Sequence, residues 1–167
     1  GGGNAVNYMY NNGIEGVDLV VCNTDEQFLK NSPVPKKIVL GTTGLGAGNI
    51  PENGFEAAKS SREEIEKLFT EERTDMVFLS VAMGGGTGTG ASPYIAKIAK
   101  EKNILTVAIV SVPMKFEGRK RLNNAFKGLR ELRESVDAIL IANSDHLFDE
   151  DREDVKLSVG HAQIDKV

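Results

Sequence analysis

The sequence predicts an α/β fold, Rossmann-like in plan, with a parallel sheet that carries helices on both faces. Short apolar segments, typical of buried strands, alternate along the chain with segments whose apolar residues recur at helical spacing. The last three apolar segments are nearly continuous, as expected for parallel strands covered on both sides. The predicted strands span residues 17–22, 37–40, 75–82, 104–112 and 137–142.

Helical periodicity accounts for the segments between these strands. After the third strand, Pro93 is expected at the first position of a helix capped by Ser92. Another helix is expected around Ile65 and Phe69. Residues 117–136 predict a further helix with this apolar stripe: Leu122, Ala125, Phe126, Leu129, Leu132 and Val136.

Length and composition fit one soluble globular domain. The 167 residues are 40% hydrophobic and 26% charged. The net charge of −4 does not favour a nucleic-acid surface. No apolar run approaches the roughly 20 residues that a membrane-spanning helix needs, and no signal peptide is visible. The single cysteine, Cys22, is expected to be buried in a strand, and a reducing cytoplasm is the expected location.

A glycine-rich stretch between a strand and a helix is the strongest functional signal. Glycines leave backbone N–H groups unshielded, and the start of a helix adds free donors and a positive dipole end. Together they predict a cradle for the phosphates of a nucleotide, with two threonine hydroxyls as further donors. The residues of this stretch are Gly84, Gly85, Gly86, Thr87, Gly88, Thr89 and Gly90.

Other readings of this stretch are weaker. It is not a Walker A loop, because no lysine occurs between Glu72 and Lys97. From Gly86 to Ala91 it matches G-x-G-x-x-A, which leaves a nicotinamide-dependent oxidoreductase open as an alternative. The acidic residue that would hold a ribose is missing after the next strand, which Pro113 follows. A flexible glycine linker is the structural alternative.

Four more loops point to the same edge of the sheet. Gly-Gly-Gly-Asn-Ala opens the chain, and Asn-Thr-Asp follows the first strand at residues 23–25. Gly-Leu-Gly-Ala-Gly-Asn follows the second strand at residues 44–49, and Phe-Glu-Gly-Arg-Lys-Arg follows the fourth at residues 116–121. Ligands of α/β folds collect at the carboxyl ends of the strands, so these loops predict one binding site.

In this order the motifs resemble the FtsZ family of bacterial tubulin-like cell-division GTPases. The resemblance runs from residue 1 to about residue 147 and implies a GTP-binding domain there. It also implies a site for GTP or GDP. Besides the glycine-rich stretch, the implied contacts are Gly1, Gly2, Gly3 and Asn4 in a first phosphate loop, Asn23, then Ala47, Gly48 and Asn49 facing the γ-phosphate, Glu117 and Arg121 near the ribose, and Asn143 at the guanine edge.

The resemblance also implies how the protein works. GTP would be hydrolysed to GDP, usually with Mg²⁺, in filaments built head to tail from copies of one chain. Acidic residues of the neighbouring subunit would complete the site, and Asp151 and Asp154 are the candidates. Division adaptors would be further partners, at the cytoplasmic division site. The alternative is a truncated or diverged domain that binds nucleotide or a partner without hydrolysis.

Some features depart from the family pattern. The family has a strand before the first glycine loop and a long central helix after the fifth strand, and neither is visible in this sequence. Residues 148–167 read either as a solvated tail or as a remnant of the acidic catalytic loop and the start of a second domain. His146 and His161 lack the spacing of metal ligands, so no metal site is expected in the protein itself.

Overall fold

The computed structural model describes residues 1–143. The predicted catalytic pair Asp151 and Asp154, both histidines, and the domain boundary near residue 147 lie outside the described residues.

The described residues form alternating strands and helices, as the sequence predicts. The strands are β1 (Val20–Asn23), β2 (Lys36–Val39), β3 (Met76–Ala82), β4 (Leu105–Val112) and β5 (Ala138–Asn143). The helices are α1 (Gly2–Asn11), α2 (Glu26–Asn31), α3 (Pro51–Ser60), α4 (Arg62–Glu71), α5 (Gly86–Glu101) and α6 (Arg119–Arg133), with a 3-10 turn at Lys115–Glu117.

All strand pairs are parallel, in two separate ladders. β1 pairs with β2, and β3, β4 and β5 form a second sheet in that order, with β4 at its centre. Each predicted strand is found within three residues of its expected bounds. The first is shorter than predicted, because Val20 pairs with Lys36 and the next partner would be Pro35, which has no N–H for the ladder.

Helices pack on both sides of β1, because successive side chains of a strand point to opposite faces. Val21 packs in a cluster with Leu29 of α2 and Val34. Its neighbour Cys22 packs on the opposite cluster, which includes Ile65 of α4 and Ile98 of α5. This arrangement confirms the predicted α/β fold.

The start of α5 corrects the sequence prediction. The helix begins at Gly86, seven residues before Pro93, and Ser92 is an interior residue whose Oγ donates to the Gly88 carbonyl oxygen at 2.6 Å. A Cβ added at Gly88 would lie 2.1 Å from the carbonyl oxygen of Ala82. Close packing against β3 therefore favours a helical turn of glycines that intrinsic propensity disfavours.

One residue of the predicted stripe on α6 is not in the core. Ala125 and Leu132 are buried, but the side chain of Phe126 is 64% exposed. One helical residue turns the side chain by about 100°, so Phe126 points away from the face that carries Ala125. Gly128 belongs to the buried face of the helix instead.

A groove of about 1490 Å³ lies between the two ladders. It is lined by β1, by β3 and by the start of α1, and it reaches the loops at the carboxyl ends of the strands. Within residues 1–143, none of the helices combines the length and the apolar character that crossing a bilayer requires.

Candidate functional site

The first glycine loop lies between the ends of β3 and β1. A Cβ added at Gly2 would lie 2.2 Å from the carbonyl oxygen of Ser80, and one added at Gly3 would lie 2.8 Å from the ring of Phe28. Only glycine lets α1 start this close to its neighbours. Gly1 is the N-cap of α1, and no side chain caps this helix start. The N–H of exposed Asn4 donates to the Gly1 carbonyl oxygen at 2.8 Å, so the N–H groups of Gly2 and Gly3, which precede that bond, are the ones at the site end of the helix.

The second loop is shaped by its own polar side chains. Asn23 accepts a hydrogen bond from the Asp25 N–H at 3.1 Å, and Asp25 caps α2 by accepting from the N–H groups of Gln27 and Phe28. Thr24, which is 4% exposed, shares a 2.6 Å hydrogen bond with the hydroxyl of Thr87. This contact fixes the second loop to the glycine-rich stretch.

The glycine-rich stretch has an open part and a buried part. Gly84 has a φ of 100°, and its N–H donates to the Thr89 hydroxyl at 2.9 Å. Thr89 is 1% exposed, and Gly90 packs against the carbonyl of Pro51, so both lie beneath the loop. Above them, α5 begins after Gly85 without a side-chain cap. The N–H groups at the start of α5 are therefore the ones placed to meet an anion.

The third loop runs alongside this helix start. A Cβ added at Gly86 would lie 2.7 Å from the Cβ of Ala47. Gly48 and Asn49 both have left-handed backbone, with φ of 60° and 57°. The N–H of Gly46 donates to the Thr24 carbonyl oxygen at 2.9 Å, so the third loop is also tied to the second.

The fourth loop places a carboxylate near the same edge. Glu117 is 19% exposed and accepts from the Met114 N–H at 2.8 Å through Oε1 and from the Arg121 guanidinium at 2.6 Å through Oε2. The backbone of Arg121 borders Gly84, since its carbonyl oxygen would lie 3.0 Å from an added Cβ there. Asn143 ends β5, and its backbone is in register with Val112 at the end of β4.

The predicted site residues of these loops thus meet at one edge of the sheets, with Thr89 and Gly90 as supports beneath it. Two residues of the site region were not predicted. Thr24 lies next to the predicted residue Asn23. Asn124 of α6 has no sequence pattern that indicates a role, because one polar residue on a charged helix face is ordinary. Its Nδ2 lies 3.4 Å from the Gly84 carbonyl oxygen and 3.5 Å from that of Asn49.

The arrangement of the site favours nucleotide binding over metal binding or catalysis by a thiol nucleophile. Two helix starts without side-chain caps and a row of glycines suit a phosphate chain. Within the described part of the chain, no group of three or more histidine, cysteine or acidic side chains could hold a metal ion. Burial raises the pKa of the Cys22 thiol to about 12, so it is protonated at neutral pH and a poor nucleophile.

Comparisons with known proteins agree with this geometry. The family model described as the Tubulin/FtsZ family, GTPase domain, matches residues 1–151. The cell division protein FtsZ of Aquifex aeolicus is 46% identical over 170 residues, which cover all of this chain and 46% of that protein. The chain thus spans less than half the length of this relative.

Solved structures give the same result. A structure titled "FtsZ dimer, empty" from M. jannaschii matches with a TM-score of 0.92 and 39% identity, over 99% of this chain and 48% of that one. CetZ2 from Haloferax volcanii, titled as a GTPgS-bound protofilament, matches with a TM-score of 0.85 and 25% identity, over 99% of this chain and 52% of that one. On the family match and the similarity to FtsZ along the whole of this chain, the chain belongs to the Tubulin/FtsZ family.

Proposed function

We propose that this chain is the nucleotide-binding part of a GTPase that polymerises head to tail into filaments of the bacterial division ring. The observation that carries the proposal is that four loops, at residues 1–5, 23–25, 44–49 and 116–121, converge on the glycine-rich start of α5. This helix start has no side-chain cap. Such an edge offers many N–H donors to one phosphate chain.

In this proposal each loop has one task. The amides of residues 85–88 bind the α- and β-phosphates, and residues 47–49 face the γ-phosphate. Glu117 accepts hydrogen bonds from the ribose hydroxyls, and Asn143 bonds the guanine edge. Mg²⁺ bound to the phosphates would neutralise charge that develops during phosphoryl transfer. Within residues 1–143, no group of three or more acidic, histidine or cysteine side chains could hold the ion by itself.

Hydrolysis in this proposal requires two subunits. The next subunit presents its Asp151 and Asp154 to the terminal phosphate, where they orient the attacking water. A contact between two different faces of the same chain repeats without closing and so produces a filament. The titles of similar proteins support this proposal, since they name a division protein, a dimer and a protofilament. A cytoplasmic location at the division site and division adaptors as partners belong to the same proposal.

The first prediction concerns GTP turnover per molecule, measured with Mg²⁺ over a series of protein concentrations. We expect turnover per molecule to rise steeply with concentration, because each active site is completed by a second subunit. Flat or absent turnover in protein that binds GTP would contradict hydrolysis between subunits and support the alternative of a binding domain without hydrolysis.

A mixing experiment sharpens this test. The double variant Asp151→Asn/Asp154→Asn and the variant Glu117→Ala should each turn over slowly alone, and a mixture should recover activity, because one supplies the acids and the other the nucleotide site. Asp149→Asn, in the same acidic segment, is the matched control and should retain turnover. If the double variant alone hydrolyses GTP at the wild-type rate, the two aspartates are not catalytic.

A further inference from the structure

Helix α6 packs directly against the glycine-rich stretch at residues 84–90. A Cβ added at Gly128 would lie 2.6 Å from the Thr89 side chain and 3.0 Å from the sulfur of Met83. Two helical turns earlier, the carbonyl oxygen of Arg121 lies against Gly84. The side of α6 that carries these residues therefore touches both the residues before α5 and the first turn of that helix.

On this side of α6, the side-chain amide of Asn124 bridges two loops. Its Nδ2 donates to the Gly84 carbonyl oxygen at 3.4 Å and to the Asn49 carbonyl oxygen at 3.5 Å. Both acceptors belong to residues with left-handed backbone, with φ of 100° at Gly84 and 57° at Asn49. One NH₂ group has two hydrogens, so it can serve both carbonyls at once. Each contact is long and so weaker than a typical hydrogen bond.

A second contact from α6 reaches the segment that follows the third loop. Lys127, three residues after Asn124 and on the same side of the helix, lies with its Nζ 3.0 Å from Oε1 of Glu52 in the first turn of α3. A backbone hydrogen bond and Lys127 lower the pKa of Glu52, so the pair is charged at neutral pH. Both side chains are exposed, so this pair alone adds little stability. Its position agrees with that of Asn124, since both join α6 to the third loop and its continuation.

We propose that Asn124 is a positioning residue that holds the third loop against the glycine-rich stretch. Through this contact it sets the preference of the site for a nucleoside triphosphate over a diphosphate. This inference rests on the proposed function. The start of α5 is held by its own packing and would bind the first two phosphates whether or not Asn124 is present. The third loop would contact only the terminal phosphate, so loosening it weakens triphosphate binding alone.

The test is calorimetric binding of GTPγS and of GDP to the 167-residue chain and its variants. Asn124→Ala removes the bridge, and Asn124→Leu keeps the approximate size and branching of the side chain, adds no charge beside the phosphates, and removes the NH₂ donor. Both variants should bind GTPγS about threefold to tenfold more weakly, as expected for two long hydrogen bonds, with GDP affinity within about twofold of wild type. Asn123→Ala, at an exposed neighbouring position, is the matched control and should change neither affinity.

The ratio of the two affinities separates positioning from general damage. If Asn124→Ala weakens both nucleotides equally, or neither, the inference is wrong, because a merely structural role would not change the ratio. If the wild-type chain binds GDP and GTPγS, the proposed nucleotide site stands whatever the variants do. If it binds neither, the proposed function fails, and this inference fails with it.

Discussion

Replacing Gly90 with alanine should destabilise the chain by about 3 kcal/mol and lower its melting temperature by roughly 10 °C. The added Cβ would lie 1.8 Å from the Pro51 carbonyl oxygen and 2.8 Å from the Phe55 nitrogen. Both are backbone atoms of α3, so no flexible side chain can give way. Helix propensity alone predicts the opposite sign, since alanine is favoured over glycine in a helix by about 1 kcal/mol.

Thermal unfolding followed by circular dichroism measures this effect. Gly85→Ala is the matched control, because its added Cβ would meet only the Asn49 side chain, at an ordinary 3.7 Å. We expect that variant to change stability by at most about 1 kcal/mol, the scale of an N-cap substitution. A melting temperature for Gly90→Ala at or above that of wild type would show that α3 and α5 can separate at little cost.

Replacing Glu117 with alanine should weaken GTP binding by about 10-fold to 100-fold, since hydrogen bonds to a charged acceptor contribute about 1.5–3 kcal/mol. In the structure the carboxylate is held by the Met114 N–H and by Arg121, so it is oriented before any ligand binds. Binding to the purified chain, measured by calorimetry, gives the affinity. Glu64→Ala, on the exposed face of α4, is the control and should bind as wild type does.

A second ligand identifies what the carboxylate contacts. Wild type should bind 2′,3′-dideoxy-GTP more weakly than GTP, because the analogue lacks both ribose hydroxyls. Glu117→Ala should bind the two ligands alike. If the variant still distinguishes them as strongly as wild type does, Glu117 does not contact the ribose, and its role is limited to holding Met114 and Arg121.

Much of this architecture could be predicted from residue pattern, because the strands are short apolar segments and every site loop except the one that opens the chain follows one of them. The start of α5 could not be predicted. Five residues of glycine and threonine do not favour a helix, and Ser92 followed by Pro93 has the appearance of a cap. What decides the matter is close backbone packing against Ala82 and Pro51, which only the folded structure reveals.

The site residues also divide into those that the sequence predicts and those that only the folded structure reveals. The glycine-rich stretch is predicted because glycines between a strand and a helix have a chemical meaning, and the family resemblance implies roles for Asn23 and Glu117. Asn124 was missed, since its role depends on two carbonyl groups that are 40 and 75 residues away in sequence. Residues on helix faces that act through distant backbone atoms leave no local pattern. Phe126 illustrates the reverse case, an apolar residue with the right spacing that lies in solvent.

The division of the strands into two ladders has a consequence for how the molecule opens. Among residues 1–143, β1 and β2 are joined to the other strands through side chains and helices, whereas β4 has a hydrogen-bonded neighbour on each side. Main-chain amides exchange with solvent through local opening, which is easiest where few backbone bonds must break. In heavy water the amides of β4 should therefore be the slowest to exchange among those of the five described strands.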